Sequence, residues 1–373
     1  MNPPKTGDLD YIHFLVAAQK EFTCTEAARS HPEEEDGPAH DAFTRLLQRR
    51  PPDTEALWQE AEPAVDPGDG LLILDDTTLD KPYANEIEHA GGHWSGKHDD
   101  VVKGLAGRFC GAVPLRRIRS EEALLPKSRW RSRFRRKPHV KHTSRETHVP
   151  CDFRLYEKDG KTKNEHFREM LDRASNREFG PEYVVFDSWQ GGLDNLKKVR
   201  DLGWTFFARL KKNRKMGPDD THNRQIQEIE IPEEGRVVHL KGYGQRVKVP
   251  QADSTDGDAE DGDPSESKEE NVQYWATNNL KMTEEKREEL ARRAWGVETY
   301  HRRLKQYCGV ERSQCQSAQA QHNHIQMSIR AFLRLELHRV ETALSFYESK
   351  TAIIREAIRA YLADPTHVLP SSA

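Results

Sequence analysis

Long apolar runs are what this sequence lacks most. Hydrophobic residues make up 35% of its 373 residues, and the mean hydropathy is −0.92. No stretch approaches the roughly 20 apolar residues of a membrane-spanning helix, which excludes a transmembrane protein. Cysteine is scarce too: five residues, at 24, 110, 151, 308 and 315, make no disulfide framework and point to a reducing cytoplasm. The opening residues, MNPPKTGDLDYIHF, lack the basic segment and apolar run of a secretory leader. There is no glycine-rich loop of the kind that cradles phosphates and no Ser/His/Asp arrangement, which argues against nucleotide hydrolysis and acyl transfer. Cys308, Cys315, His322 and His324 invite a zinc reading, but their spacing is not that of a compact zinc knuckle and they fall on helical text. Helix-packing thiols and surface imidazoles are the expectation there.

Net charge is also small, −4, but only because blocks of opposite sign cancel. Residues 1–70 sum to −9, residues 101–150 to +11 and residues 251–270 to −8. A basic block of that size suits a polyanion, so a nucleic acid partner stays open.

What is present reads as an α/β chain. In residues 1–66, Phe14, Leu15, Ala18 and Phe22, then Phe43, Leu46 and Leu47, recur at helical spacing. That region is expected to be helical, either a small DNA-binding domain or a brace. The run Leu71-Leu72-Ile73-Leu74 has the form of a strand buried on both faces, and so does Tyr183-Val184-Val185-Phe186. Each is followed at once by an aspartate, Asp75 and Asp187. Helical stretches around 163–176 and 192–202 and a strand over 204–210 complete a first core segment, residues 67–212. Residues 213–281 alternate as strands do and form a β-rich insertion, with an acidic, disordered loop at 251–270. Residues 282–363 read as the helical completion of the core.

Two strand-end carboxylates and a third on a helix carry the chemistry. Glu298 lies in helical text, with Arg302 and Lys305 four and seven residues on and so on its face. An all-oxygen donor set suits Mg²⁺ or Mn²⁺, and two such ions can activate the attacking oxygen and stabilise the leaving oxygen of a phosphodiester. A cation beside Glu298 can hold the DNA phosphate. Trp189, two residues beyond Asp187, suits base stacking or a place in the core.

Five further segments carry a likeness: residues 71–82 (LLILDDTTLDKP), 89–104 (HAGGHWSGKHDDVVKG), 149–156 (VPCDFRLY), 161–171 (KTKNEHFREML) and 184–190 (VVFDSWQ). With 295–305 (WGVETYHRRLK), the chain resembles the DDE transposases of bacterial and archaeal insertion sequences, the cut-and-paste group with an RNase H-like catalytic core. The resemblance implies an RNase H-like mixed sheet flanked by helices, with Asp75, Asp187 and Glu298 as the acid triad. Asp76 stands beside the first acid as an alternative. It also implies metal-dependent cleavage at transposon ends, strand transfer into target DNA, a pair of Mg²⁺ or Mn²⁺ ions, and a homodimer that joins two terminal inverted repeats in the nucleoid. Lys305 and Arg302 would grip phosphate, and Lys97 lies in a motif shared with the family. The family's tyrosine and arginine ahead of the glutamate fall near 291 and 294, and both are alanine here.

Residues 105–147 depart from the family's text. Within them, 127–145 hold nine Lys/Arg and no acid, among them Arg131, Arg133, Arg135 and Arg136. This is a phosphate-binding arm, a solvated basic loop, or a disturbed stretch that has lost a core strand. The last would make the chain a DNA-binding relative without catalysis, decayed or domesticated. A non-transposing nuclease of the same fold is the remaining alternative.

Overall fold

The computed structural model describes residues 4–33, 37–49, 51–95, 98, 100–113, 147–157, 160–218, 222–232, 234–253 and 272–364. Four helices open the chain: α1 (Asp8–Ala17), α2 (Cys24–Arg29), α3 (His40–Arg49) and α4 (Glu55–Ala61). Thr23 caps α2 by accepting the Glu26 amide, and residues 18–23 separate it from α1. The buried faces of these helices, including Tyr11, Ile12, Leu15, Leu46 and Leu47, join the main hydrophobic core.

The strands of the first half are β1 (Leu71–Asp80), β2 (Gly91–Ser95), β3 (Asp100–Val113), β4 (Val149–Leu155), β5 (Tyr183–Phe186) and β6 (Phe206–Leu210). Between them lie α5 (Lys163–Asn176) and α6 (Leu193–Asp201). β1, β5 and β6 run parallel, β3 lies antiparallel to β1, and β4 antiparallel to β3. The order β4-β3-β1-β5-β6 is that of an RNase H-like sheet.

Two expectations are corrected here. β1 does not end at Leu74; it continues to Asp80, because all ten of its residues pair with β3 even where their side chains turn polar. Of the three readings left open for residues 105–147, the loss of a strand does not hold over 105–113, the part described before residue 147. β3 runs to Val113 between β1 and β4, since Leu105, Ala106, Phe109, Cys110 and Ala112 bury themselves there. Arg131, Arg133, Arg135, Arg136 and Lys97 lie outside the described residues, as does most of the acidic loop; its first residues, Gln251–Asp253, pair with a later strand instead.

The β-rich stretch is not a separate body. Its strands β7 (Lys215–Gly217), β8 (Arg224–Gln225), β9 (Arg236–Leu240), β10 (Arg246–Val249), β11 (Gln251–Asp253) and β12 (Val272–Thr277) extend the same sheet beyond β6 through β12. Three helices follow: α7 (Glu284–Tyr307), α8 (Ala318–Thr342) and α9 (Phe346–Ala363). Among the described residues no helix is long and apolar enough to cross a membrane.

The two faces of the central strands bury different things. Leu72, Leu74, Val184 and Phe186 belong to the main core. Leu71, Ile73, Tyr183 and Val185 form a second cluster with Phe207, Trp275, Met282 and Leu290 of α7. Ala291 and Ala294 pack against that cluster as small contacts between helix and sheet.

Candidate active site

Alternation along the strands decides where the acids point. Asp75 continues the row of Leu71 and Ile73 and so faces α7, while Asp76 continues that of Leu72 and Leu74 and faces away. Leu74 pairs with Phe186 in the parallel register, so Asp75 and Asp187, each the next residue, stand side by side on neighbouring strands. Backbones so paired lie about 4.8 Å apart. Asp187 follows the same row as Tyr183 and Val185, so both carboxylates face the helix that carries Glu298.

α7 forms because Thr283 caps it by accepting the Lys286 amide and Glu284 and Glu285 oppose its dipole. Its apolar residues Leu290, Ala291, Ala294 and Val297 lie against the sheet, and Glu298 follows directly.

The electrostatics couple Asp75 to Asp187 and to Glu298. Burial, then the charges of Asp75 and Asp76, push the Asp187 carboxyl up to about 7. Burial, then Asp75, raise Glu298 as well, against the pull of His301, Lys305 and Arg302. Glu298 nonetheless keeps an exposed side chain at the helix surface. Three carboxylates that repel one another are a donor set chemically suited to a divalent cation. Among the described residues, however, no three His, Cys, Asp or Glu side chains stand close enough together to hold a metal ion.

Asp76 is otherwise engaged. Arg108, opposite it on β3, donates to it from Nε at 2.6 Å and from Nη2 at 3.0 Å, and the Lys163 ammonium lies at 3.3 Å. Burial alone would raise its carboxyl; these cations bring it below the usual carboxylate value. Asp75, by contrast, faces α7 and, among the described residues, has no such pair of cations on its carboxylate.

Asp187 is held from behind by the backbone of Gln190, whose side chain is fully buried. The Gln190 backbone N–H donates to Asp187 Oδ1 at 3.1 Å, its side-chain Nε2 reaches Asp76 Oδ1 at 3.5 Å, and its backbone carbonyl accepts from Asn195 Nδ2 at 2.9 Å. Gly191 follows because a Cβ there would lie 2.8 Å from the Arg209 carbonyl oxygen, closer than real contacts allow.

The cations fall into two groups. Arg302 is exposed and makes no ion pair with the described residues. Lys305 is already committed: its Nζ donates to the Thr78 carbonyl at 2.7 Å and lies 3.1 Å from Glu311. Trp189 is 68% exposed rather than in the core, with the Lys211 ammonium 3.9 Å above its ring. His301, which the sequence did not single out, is buried one turn after Glu298, with Nε2 3.3 Å from Asp75 Oδ2. Neither of its ring nitrogens has a well-formed hydrogen bond. Its spacing from Glu298 places it on the right helix face, but its neighbours Arg302 and Arg303 make that stretch read as solvated surface. Cys308 and His324 are buried, and the His324 ring contacts the Tyr11 hydroxyl and the Gly309 carbonyl.

Residues 66–333 match the model of a family described as Transposase DDE domain. The chain belongs to that family. Its likeness to a solved piggyBac transposase synaptic complex with hairpin DNA has a TM-score of 0.47 at 11% identity, over 98% of this chain and 76% of that one. No curated protein matches the sequence. Family membership makes the chain a transposase relative with an RNase H-like sheet.

Proposed function

We propose that this transposase-family chain cleaves DNA at transposon ends and joins the freed end to target DNA, with Asp75, Asp187 and Glu298 as its catalytic acids. What carries the reading is the in-register placement of Asp75 and Asp187 beneath the helix that bears Glu298, with the pKa of Asp187 raised by its neighbours. The three carboxylates would hold Mg²⁺ or Mn²⁺, which when bound supplies the Lewis acidity for in-line displacement at phosphorus. First, water attacks the phosphodiester at the transposon end, breaking the P–O bond and freeing a 3′-hydroxyl. That hydroxyl then attacks a target phosphodiester, and the displaced strand leaves with its own 3′-hydroxyl.

The chain's other groups position DNA. Arg302, uncommitted and one turn from Glu298, meets a phosphate. Lys305 does so only by exchanging the Thr78 carbonyl and Glu311 for the substrate. Trp189 offers the ring face opposite Lys211 to a base. Two copies of the chain would bring two ends together.

A DNA-binding relative without catalysis is the second reading, favoured by the lack of a close three-residue metal cluster among the described residues. One experiment separates them. With a labelled transposon-end duplex and Mg²⁺, Asp187→Asn should abolish strand cleavage and leave binding within about twofold. Cleavage at the wild-type rate in that variant removes the triad. No cleavage by the wild-type chain with either metal, alongside firm DNA binding, selects the second reading.

A further inference from the structure

On the side of the sheet turned away from α7, β3, the end of β4 and the start of α5 form a shallow, solvent-open depression with an enclosed volume of about 10 Å³. Its lining carries three cations, Arg108, Arg154 and Lys163, with His166 and Tyr156 beside them and Asp76 among them. Asp76 offsets one of these charges, accepting both Arg108 bonds and facing Lys163 as well. Arg154 is matched by Asp152 at 2.5 Å. Three fixed cations against two carboxylates leave an excess of one positive charge.

Several donors there remain unspent. Lys163 keeps 46% of its side chain exposed and has three N–H donors, one of which Asp76 can take. His166 Nδ1 and, near Tyr156, His93 Nε2 are buried without a hydrogen-bond partner. The His93 ring meets Tyr156 edge-on at 6.1 Å. Burial first, then Lys163, lowers His93, and burial lowers His166, which favours the neutral ring at each; a neutral imidazole carries one N–H. Buried donors without partners are costly unless a ligand completes them, and an excess of positive charge selects an anion. The N-terminus of α5 adds its dipole, partly offset by Glu165, whose carboxylate is turned onto Thr162.

We propose that this depression binds a phosphate group and, resting on the transposase reading above, that the phosphate belongs to DNA passing behind the catalytic strand. Asp75 and Asp76 are successive residues on opposite faces of β1, so this contact lies on the other face of the strand from the proposed first acid. Such a contact fixes position and reads no bases. Inorganic phosphate shares this chemistry and is the other source.

The test uses Lys163→Gln, which keeps a good helix residue at an exposed position, and Tyr156→Phe, which removes only a hydroxyl. Anisotropy of two unrelated labelled duplexes is followed from low to physiological salt. Thermal stabilisation by inorganic phosphate against chloride is read at equal ionic strength. Lys163→Gln should weaken both duplexes alike, by about fivefold, and flatten the log–log salt slope by about one; Tyr156→Phe should weaken both by a smaller factor. An unchanged DNA slope with lost phosphate stabilisation keeps the site and assigns it to free phosphate. If both variants match the wild type in both arms, the site is overturned. Wild-type protein that binds neither duplex sinks the transposase reading instead, and the phosphate arm still decides the depression.

Discussion

Asp187 is a carboxyl placed where ionisation is costly. Burial and two neighbouring aspartates raise it to about 7, against an unfolded value of about 3.9. The folded chain therefore binds this proton more tightly than the unfolded chain. The stability it contributes is full below about pH 4 and is lost as pH rises through 7. About three units correspond to roughly 4 kcal/mol at most, and solvent access with coupling to Asp75 reduces that to about 2 kcal/mol. Without divalent ion, the melting temperature of the wild type should fall more than that of Asp187→Asn between pH 5 and pH 8, and Mg²⁺ at pH 8 should recover the wild type alone. Parallel melting curves for the two proteins would contradict this account. The sequence favours Asp75 over Asp76 because Asp75 directly ends the apolar run. What it does not show is the partner strand, which sets Arg108 opposite Asp76.

At the scale of elements, the β1–β3 pair explains much of what was legible and what was not. The runs at 71–74 and 183–186 announced themselves because strands buried on both faces must be apolar throughout. The rest of β1 did not, since Asp75, Asp76, Thr77 and Thr78 look like the start of a loop; only ladder hydrogen bonds to β3 keep them extended. β3 was hidden for a related reason: Arg108 blends into the basic residues after it, although it is only 5% exposed and spent on Asp76. α5, over Lys163–Asn176, was readable because Thr162 and Glu165 form a capping box and Phe167, Met170, Leu171 and Ala174 keep helical period. The Arg108–Asp76 link yields a test. Arg108→Met leaves a buried carboxylate with Lys163 alone and should cost about 3 kcal/mol in urea unfolding. Adding Asp76→Leu should restore most of that loss; a double variant as unstable as the single one would show that Arg108 acts through packing on Phe167, 5.8 Å away, rather than through its charge.

For the whole molecule, the question is whether the N-terminal helices are a separate unit. Their apolar residues sit in one continuous cluster with those of β4, α5 and α8, and α8 is buried along most of its length. Trp58 of α4 packs on Phe179 with ring centroids 5.4 Å apart and under the Arg177 guanidinium at 4.6 Å. Arg330 of α8 closes the junction: it reaches Asp8 of α1 at 3.0 Å and Glu60 of α4 at 2.6 Å, with 8% of its side chain exposed. Such a junction couples the helices to the sheet, because neither can leave without uncovering α8. Arg330→Met removes this cation from Asp8 and leaves Glu60 with Arg334 at 2.9 Å. That should cost about 2 kcal/mol, less than a fully buried pair, because water reaches both acids. Calorimetry should show one unfolding transition in the wild type and one, at lower temperature, in the variant. An early transition in the variant that carries only the fluorescence change of Trp58 would mean that the N-terminal helices unfold by themselves, and that the shared cluster does not hold them to the catalytic sheet.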